Sequence, residues 1–170
     1  MKQLSFKRVS LLAVAITFVT VISYAQKSPA ATATGKVNGA TITIKYSSPS
    51  VRGRIIWGDL VPYGQVWRAG ANEATTIETD KDIMVEGKPL KKGKYSLYAI
   101  AGEKEWSIII NSETGQWGTD HSGVTTHNPD KDVAVVKVKS VKSASMNEAL
   151  VYVVNDKGFV LRWENLEVPH

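Results

Sequence analysis

The sequence predicts an all-β fold: an antiparallel β-sandwich of jelly-roll-like type, with one long ordered loop. Three observations predict it. Short runs rich in Val, Ile, Thr, Tyr and Trp suit a pleated surface, and the clearest of them alternates apolar with polar residues at period two. Gly, Pro, Asn and Asp stand between these runs, where tight reversals need them. No stretch keeps a helical period over the ~10–12 residues that a helix requires.

The chain opens with Lys2, Lys7 and Arg8 and no acidic residue, then an apolar run over residues 11–22 broken only by two Thr. Ser23-Tyr24-Ala25 follows, with small residues at the −3 and −1 positions of a cut before Gln26. Charged, apolar and small residues in that order form a secretory signal peptide. Residues 1–25 are therefore expected to be a cleaved leader, and the mature chain to be periplasmic or secreted. The apolar run is short of the ~20 residues that span a bilayer, so no membrane span is expected after cleavage.

Residues 26–39, small and Ala/Thr-rich, suggest a flexible lead-in to a single sandwich domain over residues 40–170. Strands are expected at 41–46, 51–57, 74–79, 83–86, 95–101, 106–111, 133–141, 149–154 and 159–163. Glu86-Gly87-Lys88-Pro89 and Asn155-Asp156-Lys157-Gly158 supply hairpin turns. The lysines at 88, 91, 92 and 94 would keep an edge strand soluble. Trp106, Trp117 and Trp163 are expected in the core or at its rim.

Composition excludes several function classes. Of 170 residues, 21 are Lys or Arg and 16 are Asp or Glu; three of the basic residues lie in the leader, which leaves 18 against 16, a net of +2. Such a balance provides no electrostatic footprint for nucleic acid. The absence of Cys removes disulfide frameworks, thiolate metal sites, a cysteine nucleophile and a lipid-anchored Cys. No phosphate-binding glycine loop or dinucleotide fingerprint is present, and no cofactor is expected.

Residues 58–73 do not read as plain scaffold. Sixteen residues is long for a sandwich connection, and Leu60, Val61, Tyr63, Val66 and Trp67 are too apolar to stay solvated. Val61-Pro62-Tyr63-Gly64 reads as a β-turn, and Gly70 and Asn72 suit a sharp bend before the next strand. If residues 51–57 form a strand, Arg52 and Arg54 share one face about 7 Å apart and could make an anion-binding fork. Arg68 could join them, with Tyr63 or Trp67 as an apolar wall and Asn72, Glu73 and Thr75 as orienting groups. The ligand would be a small anion or a sugar. The alternative is that Arg54 and Arg68 pair with Asp59, Glu73 or Glu78 and pin the loop, leaving a structural or partner-docking domain.

The run Ser48-Pro49-Ser50-Val51-Arg52-Gly53-Arg54, then residues 57–64 and 66–76 with Trp67-Arg68-Ala69-Gly70-Ala71-Asn72-Glu73, resembles the bacterial family called domain of unknown function 2911. Gly93-Lys94-Tyr95-Ser96-Leu97 and residues 105–111 fit it as well, so that the resemblance covers about residues 46–168. It implies a secreted β-rich domain of Bacteroidetes-like bacteria and carries no established activity.

Other chemistry finds less support. His121 and His127, six residues apart in a polar loop, match no standard metal spacing, and no metal site is expected. No Gly-x-Ser-x-Gly elbow occurs. An envelope hydrolase would have to use Glu73 as acid or base, together with Asp59 or Glu78.

Overall fold

The computed structural model describes residues 27–170. The leader expected over residues 1–25 lies outside them.

Strand β1 (Ala30–Val37) and β2 (Ala40–Ser47) form a hairpin paired along its whole length, from Ala30 opposite Ser47 to Val37 opposite Ala40. Asn38 and Gly39 close it at φ 48° and 80°, the left-handed pair that a two-residue hairpin turn demands. The supposed lead-in is thus a strand over most of its length. Next come β3 (Val66–Trp67), β4 (Thr76–Thr79), β5 (Ile83–Val85), β6 (Lys88–Leu90), β7 (Gly93–Ile100), β8 (Glu105–Asn111) and β9 (Asp132–Lys139). The long β10 (Val141–Asn155) and β11 (Gly158–Pro169) end the chain.

These strands make two layers. The first is an antiparallel sheet in the order β1-β2-β4-β7-β8-β9, with β3 set against β7. Its strands follow chain order, so it is a meander and lacks the paired Greek keys of a jelly roll. The second layer is the β10–β11 ribbon. Ile42, Ile44 and Tyr46 of β2, Leu97 and Ala99 of β7, and Trp106, Ile108 and Ile110 of β8 face it, each buried. Leu150, Tyr152, Phe159, Leu161 and Trp163 meet them from the ribbon. This apolar core accounts for the sandwich, and Ala74, Tyr98 and Ile109 form a second, smaller cluster on the other face of the large sheet.

The ribbon is strongly bent. Its register slips between Lys142 and Asn147 and again before Val151, and Glu164 takes φ 54°. β11 consequently returns on itself, and Phe159 and His170 exchange both backbone hydrogen bonds at 2.8 Å. Gly158 sits at this seam. A Cβ there would lie 1.9 Å from the carbonyl oxygen of His170, so only glycine fits.

Residues 51–57 are not a strand. Arg52 and Gly53, at φ 49° and 67°, make a turn, and only single bridges at Ser50 and Trp57 are ladder-like. β5 and β6 pair as a hairpin across Glu86 and Gly87, and Lys88 Nζ donates to the Val135 carbonyl of edge strand β9 at 2.8 Å.

Candidate functional site

The segment between β2 and β4 is the long ordered loop. It is fixed by backbone bonds from Val51 N–H to Glu148, Leu150 N–H to Pro49, Gly64 N–H to Ala101 and Ala71 N–H to Ser47. Its arginines reach their places through turns, not through the strand alternation that the sequence suggested.

Trp67 leads the chain into the site. Its ring lies nearly parallel to Trp163, at 6.0 Å and 18°, and both meet Trp57 edge-on. Trp57 in turn meets Trp106 at 4.9 Å. The indole N–H groups of Trp57, Trp106 and Trp163 have no hydrogen-bond partner among the described residues. Packing therefore holds the cluster, and Trp67, whose N–H donates to the Gly70 carbonyl at 3.1 Å, is the member tied to the loop.

After Trp67 the backbone is fixed tightly. Ala69 takes φ 52°, a left-handed conformation that costs a residue with a Cβ roughly 1 kcal/mol. Its buried carbonyl accepts two hydrogen bonds, from Thr75 Oγ1 at 3.0 Å and from the Tyr152 hydroxyl at 2.8 Å. Thr75 N–H donates to the Arg68 carbonyl at 3.2 Å. The backbone of Arg68 is held from both sides.

The Arg68 side chain leans on the loop between β8 and β9. Nη1 donates to Thr119 Oγ1 at 2.8 Å and, more weakly, to the Trp117 carbonyl at 3.4 Å. Gly118, at φ 89°, lies flat against its aliphatic stem, where a Cβ would come within 3.0 Å of the Arg68 Cβ. Both oxygens that Nη1 meets are neutral. Burial lowers the guanidinium's pKa from its ordinary value, and among the described residues no carboxylate is paired with it. Nε and Nη2 have no hydrogen-bond partner there either.

Arg68 opens onto a cleft of about 440 Å³. Arg52 and Arg54 line it too, as do Leu60, Val61, Val66, Trp67 and Trp163, and none of its lining residues is Asp or Glu. Arg54 is fixed by its own turn, donating to the Ser50 and Val51 carbonyls. At Arg52 the backbone N–H donates to Glu148 Oε1 at 2.9 Å. The structure thus brings together four of the expected residues, Arg52, Arg54, Trp67 and Arg68.

The other four stand apart from the cleft. Tyr63 is 41% exposed and packs over Gly58. Asn72 spends its amide on the Ser28 carbonyl and Ser47 Oγ, both at 3.0 Å. Thr75 is fully buried beneath Ala69. Glu73 is exposed and lines a separate depression with Lys45 and Lys94. In place of these, the cleft is completed by Leu60, Thr119 and Trp163. Neither Thr119 nor Trp163 is near the loop in sequence, and no local pattern marks them.

His127 proves to be no solvated loop residue. Its Nε2 lies 2.7 Å from Asp132 Oδ1, with the two side chains 7% and 16% exposed. Asn111 donates to the same Asp132 oxygen at 2.8 Å, and the His127 ring meets Tyr98 edge-on. This cluster anchors the base of the loop that supports Arg68. Pro129–Lys131 form a 3₁₀ turn capped by the Asn128 side chain. Among the described residues, no group of three or more His, Asp or Glu comes together as a metal site would require.

Fold and site define a β-sandwich with an arginine-lined, acid-free cleft along one edge of its loop. Residues 28–170 match the family described as Protein of unknown function (DUF2911), and the chain belongs to that family. Comparison with curated proteins and with solved structures finds no significant match.

Proposed function

We propose that the protein is an exported, non-enzymatic binding module whose cleft takes a small anionic ligand. One observation carries this reading: among the described residues, Arg68 presents a half-buried guanidinium with no carboxylate partner at a cleft whose lining holds no acidic residue. Desolvating a cation is unfavourable unless an anion or hydrogen bonds compensate it. Thr119 and Trp117 satisfy one nitrogen, and the remaining fork edge suits two oxygens of a ligand. Arg52 and Arg54 add positive potential, and Trp67 provides the apolar wall. An envelope hydrolase built on Glu73 finds less support, since that carboxylate stands outside the cleft.

A thermal-shift panel of carboxylates, phosphates and neutral sugars tests the reading. A ligand that binds only the folded state stabilises it by about 2.7 kcal/mol at a hundred times its Kd. Anions should raise Tm and neutral sugars should not, and Arg68→Gln should abolish the rise. A panel in which no anion shifts Tm refutes it. Export rests on the leader; the family match beginning at residue 28 and β1 beginning at Ala30 are consistent with a mature chain starting at Gln26. N-terminal sequencing of the protein from its native host should read Gln26 first, and an intact Met1 would refute export by cleavage.

A further inference from the structure

We infer that the cleft selects a carboxylate carried on an apolar body, in preference to a phosphate or a hydroxyl-rich sugar acid. This rests on the reading of the cleft as an anion site and goes on to specify the chemical class of its ligand.

The donors that Arg68 turns to the cleft lie in one plane. Arg54 is committed to the Ser50 and Val51 carbonyls through Nε and Nη2. Arg68 commits only Nη1, which leaves the Nε–Nη2 edge. Two parallel N–H groups match the two oxygens of one carboxylate. A phosphate bound on that edge would leave its remaining oxygens outside the fork, and those that meet the apolar side of the cleft would lose hydration without a donor in return. Leaving such charge unpaired in a desolvated site is unfavourable.

The walls point the same way. Leu60, Val66 and Trp67 give the cleft one aliphatic and aromatic side, with Val61 and Trp163 buried behind it. Gln65 is the one side-chain amide in the lining, and hydroxyls come only from Ser28, Ser50 and Thr119, of which Thr119 already accepts from Arg68. A sugar ring with several hydroxyls would find few partners there. The apolar character continues past the mouth: Leu60 is 44% exposed, Ile55 70% and Val124, next to the cleft residue Gly123, 61%. A ligand with an apolar body would cover that rim, and burying apolar area there contributes roughly 25 cal/mol for each Å².

Calorimetric titration of the whole mature protein with four probes decides the matter: 1-naphthoate, its neutral counterpart 1-naphthalenemethanol, D-glucuronate and inorganic phosphate. Naphthoate should bind at least about tenfold more tightly than each of the other three, a margin of ~1.4 kcal/mol. Arg68→Gln should erase the preference for naphthoate over the alcohol. Arg68→Lys, which keeps the charge without the fork, should lose most of it and serves if the glutamine variant fails to fold. Leu60→Ser should weaken naphthoate and leave phosphate unchanged. If glucuronate or phosphate binds as tightly as naphthoate, this inference falls and the anion cleft stands. If the alcohol equals naphthoate, or if no probe binds, the inference and the reading beneath it fall together.

Discussion

The Ala69 carbonyl offers a test of how the site is held in place. It accepts from Thr75 Oγ1 and from the Tyr152 hydroxyl, and all three residues are at most 3% exposed. Thr75→Val and Tyr152→Phe each remove one donor while preserving shape. A neutral buried hydrogen bond contributes about 1 kcal/mol, and after either change the carbonyl keeps its other partner. Each single variant should therefore lose ~1 kcal/mol. The double variant leaves the carbonyl buried with neither side-chain donor, which costs a further ~1–3 kcal/mol for its desolvation. The double loss should then exceed the sum of the single losses by about 1–2 kcal/mol. Urea unfolding of the four proteins, with unchanged m-values, measures this directly. A coupling below ~0.5 kcal/mol would show that the two donors do not share one acceptor, and the account of how Arg68 is positioned would fail.

Other expectations follow from the same geometry. Gly158→Ala should lower stability by ~1–3 kcal/mol or more through its clash with His170, read as a fall in Tm; an unchanged Tm would mean that the seam is not closed in solution. Burial holds His170 below its ordinary pKa, so the unfolded chain takes up that proton first as the pH falls. The stability from neutral His170 is complete above the unfolded value of about 6.5 and is lost as pH falls through it toward the lower folded value. His170→Gln should flatten that part of the stability–pH curve, and an unaltered curve would refute the assignment. His127→Ala breaks a buried contact to a carboxylate, worth ~1.5–3 kcal/mol, and should make residues 112–128 the first site of limited proteolysis. Cleavage elsewhere first would argue against His127 as the anchor of that loop.

Strand alternation was legible where one face of a strand meets the core and the other meets water. Residues 41–46 show it plainly, and β2 buries Ile42, Ile44 and Tyr46. β1 escaped that logic because its inner face is made of Ala31, Ala33 and Gly35, residues that look like a linker. They are small because β10 lies directly against them: a Cβ on Gly35 would stand 2.7 Å from the Val154 carbonyl oxygen. The Asn38-Gly39 pair was the available signal for that hairpin. Residues 51–57 erred the other way, since their mixture of arginine and apolar residues imitates a strand while Arg52 and Gly53 bend the backbone.

The candidate site was half legible for a related reason. Trp67 and Arg68 stand out because a long apolar loop with a charged centre needs an explanation. Asn72 and Thr75 were singled out with them, yet their hydrogen bonds go to the protein's own backbone and to Ser47, where they shape the loop. Thr119 and Trp163 belong to other elements, some 50 and 95 residues further along the chain, and only the folded sheet brings them to Arg68. Periodicity describes what one element does alone, and a cleft is made by several.

The stitching of His170 to Phe159 has a bearing on how the second layer comes apart. Because those two bonds hold the far end of β11 over its start, fraying there would bare Phe159, which is otherwise buried, to water.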